Sequence, residues 1–283
     1  MFRRFAEGWS RFFLAEEPVR GVVLFRTLLA LWTMGLLALR VPFIAELYTD
    51  NPLAQPVREL AGVVLPLWLF WALYGAAFLL LALLAIGWQA RVAHSLFLLV
   101  SVVIIGADVA PLRAYGTLAW TQWVLLFAAP YDLPAGARAP IWGTRLLQMQ
   151  FSAVYLFTVL AKTLDGAGWF DGWTLYWCLH NPLWVRDWVA LLPTPRAFTL
   201  VLGWGVMATE LFIAFGLYFE RTRRLAIVAC LLFHAGIQAM MRIPVLFPTV
   251  MWIHLVLFVK WTRAQESGAR PLKTAGTEDG QRE

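Results

Sequence analysis

The chain has 283 residues, of which 61% are hydrophobic and 14% are charged, and its formal net charge is +6 at pH 7. Soluble domains carry about 25% charged residues, so this composition excludes an ordinary soluble protein and indicates an integral membrane protein. The positive charge does not indicate nucleic-acid binding, because much of it lies in segments that we assign to the cytoplasm. Two cysteines, Cys178 and Cys230, are too few for a disulfide framework or a zinc site, so we predict no metal site.

Apolar runs follow one another along most of the chain, and a spanning helix needs roughly 17–25 residues. We therefore predict an all-α fold, a polytopic transmembrane helical bundle of about eight spans. The third and fourth runs are short, so seven or nine spans remain open. The runs cover residues 21–39, 64–86, 92–107, 115–129, 146–162, 197–218, 225–240 and 246–261.

Most of the 23 basic residues fall on one side of the membrane if the N-terminus is inside. By the positive-inside rule, both termini are then cytoplasmic. Residues 1–20 form a cytoplasmic N-terminal segment, residues 21–262 the transmembrane domain, and residues 263–283 a polar, disordered cytoplasmic tail. The outer loop 163–196 is rich in tryptophan, so we expect it to lie on or dip into the outer interface.

Polar residues follow one face of two predicted spans. In span five, Arg145, Gln148, Ser152, Tyr155, Thr158 and Lys162 recur mostly at steps of three or four residues. Such a stripe should face the bundle interior or a water-filled cavity. In span seven, Cys230, His234 and Gln238 recur at steps of four.

Three charged side chains lie within the predicted spans. Arg26 and Glu210 both fall toward the inner half of the membrane, so we predict a structural ion pair between them. Lys162 falls at the outer end of its span. It is a catalytic base, a buried charge with a structural partner, or an anchor that snorkels to the outer head groups. A lysine that has lost its proton can act as a base or a nucleophile.

Several stretches resemble one known family. "RLLQMQFSAVYLFTVLAKTLDGAGWFDGWTLY" (145–176) resembles the core of the HTTM (horizontally transferred transmembrane) domain, which vitamin K-dependent gamma-carboxylases share. "GVVLFRTLLALWTMGLL" (21–37), "FHAGIQAMMRIPVLFPTVM" (233–251) and the Tyr48-Thr49-Asp50 end of the first outer loop are also similar to this family. The resemblance extends over about residues 15–262.

The resemblance implies roles for particular residues. Lys162 matches the lysine proposed to deprotonate vitamin K hydroquinone in the carboxylases, and His234 is the second catalytic candidate. The candidate binding or scaffold residues are Arg145, Gln148, Tyr155, Trp169 and Gln238, the last because it shares the face of His234. The chain departs from the carboxylases at Ala161, where they have a second lysine, and at Pro111-Leu112-Arg113, where they have a histidine. It also has only about 20 polar residues where they have a large lumenal domain.

Three functions are compatible with these observations. The first is a quinone- or lipid-dependent enzyme that modifies an exported peptide at the outer membrane face, with Lys162 as base and a reduced quinone as cofactor. The second is a non-enzymatic membrane partner, an immunity or maturation factor for an exported peptide. The third is a small-molecule transporter, although no pair of broken-helix repeats is visible. The resemblance implies a multi-pass protein of the bacterial inner membrane. We expect it to contact the lipid bilayer and either an exported peptide or a membrane partner protein, and we expect no nucleic-acid partner.

Overall fold

The computed structural model of the protein describes residues 2–48, 59–60, 63–107, 121–164, 167–243 and 245–260. The predicted disordered tail 263–283 lies outside the described residues. So do Pro111-Leu112-Arg113 and residues 49–58 of the first outer loop.

Helices dominate the described residues, and each of the eight predicted apolar runs contains helical residues. These helices are α2 (Arg20–Arg40), α4 (Leu67–Ile86), α5 (Ala90–Ala107), α6 (121–128), α7 (Trp142–Leu164), α11 (Arg196–Gly216), α12 (Glu220–Met240) and α13 (Leu246–His254). The others are α1 (Phe2–Leu14), α3 (Ile44–Leu47), α8 (Ala167–Phe170), α9 (Trp173–His180) and α10 (Asp187–Ala190). Single 3-10 turns follow α2 at Val41–Phe43 and α13 at Leu255–Phe258.

Within the described residues, four helical segments are long and apolar enough to cross a membrane. They are Arg20–Leu47, Leu67–Ile86, Arg196–Gly216 and Glu220–Met240. Ala90–Ile105 and Leu246–Phe258 are apolar but shorter. Helix α7 has 23 residues, but it carries the polar stripe and is not among these four. The prediction of a helical membrane protein is therefore confirmed, while the count of eight spans and the cytoplasmic termini stay predictions.

Helix α2 lies at the centre of one side of the bundle, where it packs against α4, α13 and the 3-10 turn after α13. Helix α4 in turn packs against α5, while α11 packs against both α7 and α12. The indole of Trp32 on α2 donates to the Leu246 carbonyl of α13 at 2.9 Å. Phe25, Leu29 and Phe151 are almost completely buried between the helices, so apolar packing holds the bundle around its polar residues.

Two small antiparallel sheets accompany the helices, and the sequence analysis did not predict them. Strand β1 (Glu16–Pro18) pairs with β4 (Arg138–Pro140), and β2 (Glu59–Leu60) pairs with β3 (Val63–Val64). Strands of two or three residues are too short to show the alternation that identifies strands in a sequence. The first sheet joins the N-terminal segment to the start of α7.

The tryptophan-rich loop between α7 and α11 is folded against α11 rather than extended. Its helices α8 and α9 both pack on α11. Gly172 has a φ of +80°, and a Cβ atom there would lie 2.6 Å from the backbone nitrogen of Leu200. Glycine therefore permits both the left-handed backbone and the close approach of the loop to α11.

Candidate functional site

Lys162 and Glu210 form an ion pair between α7 and α11. The Lys162 Nζ lies 2.5 Å from both carboxylate oxygens of Glu210. The two side chains are only 14% and 7% exposed, respectively. The ring of Trp169 covers the ammonium group, with its centroid 4.9 Å from Nζ. The carboxylate and the aromatic ring together replace the water that the lysine would otherwise need.

The pairing follows from the path of the chain after α7. Glu210 lies 14 residues after the first residue of α11, which is roughly 21 Å along the helix axis. The chain that follows α7 runs back along α11, where the Trp169 carbonyl lies against Gly203. Lys162 also points toward the preceding turn of its own helix, as helical side chains do. Lys162 therefore lies at the same depth in the bundle as Glu210. The sequence had predicted different depths, with Lys162 at the outer end of its span and Glu210 toward the inner half.

Tyr155 connects α7 to α12. Its hydroxyl lies 2.8 Å from the Nε2 atom of His234 and 3.2 Å from the Sγ atom of Cys230. His234 is 3% exposed, and its Nδ1 atom has no hydrogen-bond partner among the described residues. The rings of Phe233 and Phe247 contact the imidazole edge-on. The predicted stripe on span seven thus faces the predicted stripe on span five.

The ion pair and the Tyr155 cluster form one polar site. Glu210 is close enough to Tyr155 to act on it electrostatically, and Thr158 is a further neighbour of the carboxylate. Steps of three and four residues bring Tyr155, Thr158 and Lys162 to one face of α7. We call the group of Tyr155, Lys162, Glu210, Cys230 and His234 the α7 polar site. Four of these residues were predicted members of a polar stripe, whereas Glu210 was predicted to pair with Arg26.

The predicted ion pair between Arg26 and Glu210 is wrong. The Arg26 Nη1 donates to the backbone carbonyl of Tyr131 at 2.7 Å, and the guanidinium lies against Gly87, whose φ is +85°. Asp132 also acts on Arg26 electrostatically. These partners lie in the turn between α4 and α5 and in the loop after α6. The pairing of Arg26 with Glu210 was predicted from their similar depth in the membrane, and depth alone does not show which residues are neighbours.

Arg145 and Gln148 lie at the other end of α7. Their separation from Lys162 is about 25 Å and 21 Å along the helix, at 1.5 Å per residue. The Arg145 Nη1 donates to the Gln148 side-chain oxygen at 2.8 Å, and the Gln148 nitrogen donates to the Leu257 carbonyl at 2.6 Å. The structure therefore does not bring these two predicted site residues to Lys162.

Two further predicted residues have separate positions. Trp169 lies over Lys162, as described above, although it comes from the loop rather than from a span. Gln238 lies one turn beyond His234, and its side-chain nitrogen donates to the Ile243 carbonyl at 3.3 Å. Gln238 thus stabilises the end of α12 and is not part of the hydrogen-bonded group around Tyr155.

These features define a helical membrane protein with a polar site between its apolar helices. Residues 131–262 match the family model of the HTTM domain, which supports membership of the HTTM-domain family for this part of the chain. No curated protein and no solved structure matches the chain. The match confirms the family resemblance recognised at residues 145–176 and 233–251. It includes every residue of the α7 polar site, whereas the similar stretch at 21–37 lies outside it.

Proposed function

We propose that this HTTM protein is a membrane enzyme that uses the α7 polar site to take up a proton from its substrate. The observation that supports the proposal is the convergence of five polar or ionisable side chains from three helices inside the bundle. Ionisable groups within membrane helices are costly, and they commonly mark proton or substrate pathways. The substrate is an exported peptide or a lipid-like molecule modified at the outer membrane face.

The Lys162–Glu210 pair provides a route for the proton. Transfer of a proton from the Lys162 ammonium to the Glu210 carboxylate leaves a neutral amine. That amine then accepts a proton from a hydroxyl group of the substrate, so the substrate loses one proton and the pair gains it. The Nζ atom lies within hydrogen-bond distance of both carboxylate oxygens, so the first transfer needs no intervening group.

The α7 polar site also offers partners for a hydroxyl group of a reduced quinone, the cofactor that the family resemblance implies. The buried Nδ1 atom of His234 has no partner among the described residues, and it can donate to or accept from such a group. Aromatic rings line the same region at Phe233 and Phe247. A reduced quinone, when bound, would supply reducing equivalents, while His234 and Tyr155 would orient its polar group.

The proposal includes a topology. Eight spans with both termini in the cytoplasm would place the loop of α8, α9 and α10 on the outer side of the bacterial inner membrane. The excess of basic residues on the predicted inner side supports this orientation. The substrate would then reach the site from the side to which exported peptides are delivered.

A second function, a non-enzymatic membrane partner of an exported peptide, is favoured by one specific observation. Both oxygens of Glu210 already contact Lys162, so the two charges compensate each other without a ligand. A pair that serves only to join α7 to α11 would have this geometry. Exchange of the two residues, Lys162→Glu with Glu210→Lys, separates the functions. A structural pair survives the exchange, whereas a proton-transfer site loses the position of its amine.

The experiment compares exported peptides by mass spectrometry in a strain that lacks the gene and in the same strain complemented with variants. The enzyme proposal expects a peptide mass change that depends on the chain and is lost in Lys162→Ala and Lys162→Arg. Arginine keeps the charge but does not release its proton. Full modification in Lys162→Ala, with normal amounts of protein in the membrane, would contradict the proposal. Full function in the exchanged variant would favour the partner role.

A further inference from the structure

A cavity lies at the end of α7 opposite to Lys162, between the start of α7, the turn that joins α11 to α12, and the chain after α13. Its volume is about 240 Å³. Arg145, Arg223 and Lys260 line it, together with the side chains of Tyr218 and Glu17. Three cations therefore share one small cavity with a single carboxylate.

The cations are incompletely compensated. Arg145 and Arg223 are near enough to repel each other, a cost that an anion placed between them would remove. Glu17 lies 3.4 Å from the Arg145 Nη2 and is 54% exposed, and ion pairs of this kind contribute little. Lys260 pairs with Glu220 at the surface, and Glu220 does not line the cavity.

Arginine forks are suited to one class of ligand. The Arg223 Nε donates to the Leu217 carbonyl at 3.0 Å and its Nη2 to the Tyr218 carbonyl at 3.3 Å, which holds the guanidinium in place. A guanidinium held in this way recognises phosphate oxygens well, since planar donors match their geometry. Hence we propose that this cavity binds a phosphate group.

The surroundings of the cavity indicate where the phosphate comes from. Leu217, Phe258 and Val259 form apolar walls beside the cations, at the ends of helices that are apolar along their length. Basic pockets between membrane helices bind the head groups of anionic lipids. The cavity is smaller than most ligand pockets, which usually exceed about 300 Å³. It therefore accommodates only the phosphate with its glycerol, and the acyl chains stay in the bilayer.

The test measures lipid retention by the purified full chain in detergent, using native mass spectrometry. Phosphatidylglycerol is compared with a diacylglycerol of the same acyl chains, which lacks only the head group. We expect the wild type to retain phosphatidylglycerol preferentially. Arg223→Gln and Lys260→Gln should each weaken retention about tenfold, the loss expected for one charge-assisted contact. Glu17→Gln should strengthen it, because the carboxylate competes with the phosphate.

Arg224→Gln is the matched control, because Arg224 is exposed, follows Arg223 directly and does not line the cavity. It removes the same charge and should leave retention unchanged. Thermal unfolding in the absence of lipid checks that each variant is folded. The gain expected of Glu17→Gln keeps the test decisive even if Arg223→Gln unfolds.

Inorganic phosphate distinguishes the two sources of the group. Displacement of phosphatidylglycerol by inorganic phosphate would show that the free ion is sufficient, whereas retention would show that the glycerol and acyl chains contribute. Both results agree with a phosphate site. Equal retention of the two lipids by the wild type, or an equal effect of Arg223→Gln and Arg224→Gln, would overturn the proposal.

Discussion

Lys162 and Glu210 are tolerable within the membrane because each compensates the other. A charge left without its partner in a buried environment destabilises a protein by about 3 kcal/mol or more, while removal of both charges costs much less. The mutual dependence of the two residues is therefore measurable without knowledge of the reaction.

We predict that Lys162→Met lowers the free energy of unfolding by about 3 kcal/mol and that Glu210→Gln lowers it less, since the amide still accepts a hydrogen bond. The double variant should be more stable than the sum of the two effects implies, because neither charge remains unpaired. Denaturant titration of the purified protein in detergent measures the three values. Strict additivity would show that the two side chains do not pair.

The Tyr155 hydroxyl is the only described hydrogen-bond partner of the His234 side chain. We predict that Tyr155→Phe lowers the free energy of unfolding by about 1–3 kcal/mol, since it leaves a buried imidazole unsatisfied. Tyr176→Phe is the control, because the Tyr176 hydroxyl makes no hydrogen bond in the described part of the chain. A similar loss in both variants would argue against the bond between Tyr155 and His234.

Helix α7 organises the protein at the scale of elements. Its polar face divides into two groups, one around Lys162 and one around Arg145, which are about 25 Å apart along the axis. Hydrophobic periodicity predicted the face correctly, because a helix presents residues three and four apart on one side. It did not predict the division, since a stripe shows which residues share a face and not which neighbours they meet.

The loop helices α8 and α9 depend on the close approach at Gly172. We predict that Gly172→Ala separates them from α11, because its Cβ would lie 2.6 Å from Leu200 N and its positive φ adds about 1–2 kcal/mol of strain. Limited proteolysis between α7 and α11 should then become faster. In contrast, Gly205→Ala on α11 should cause no change, since nothing lies within 4 Å of its Cβ. Unchanged proteolysis of Gly172→Ala would show that the loop does not require this contact.

The whole molecule is a helical bundle whose orientation in the membrane is a prediction from charge. Cys178 on α9 is partly exposed, whereas Cys230 is buried, so the two native thiols differ in access to a reagent. A loop on the outer side would present Cys178 to a maleimide that does not cross membranes.

We predict that this reagent labels intact cells at Cys178 and that Cys178→Ala abolishes the labelling. Burial raises the pKa of the Cys178 thiol, so less thiolate is present at pH 7 than for a free cysteine. Labelling should therefore accelerate as the pH rises from about 7 to about 9. Labelling that requires permeabilised cells would place the loop on the cytoplasmic side and reverse the predicted topology.

The amino-acid sequence by itself determined the membrane class, the helices, the polar faces and the family, because these depend on composition, on local periodicity and on a recognisable motif. Only the tertiary structure decided that Glu210 pairs with Lys162, that Arg26 binds the Tyr131 carbonyl, and that Arg145, Arg223 and Lys260 line one cavity. Each of these arrangements brings together residues that are far apart in the sequence. Their formation depends on where loops end and how helices align in depth, which hydrophobicity along a single chain does not specify.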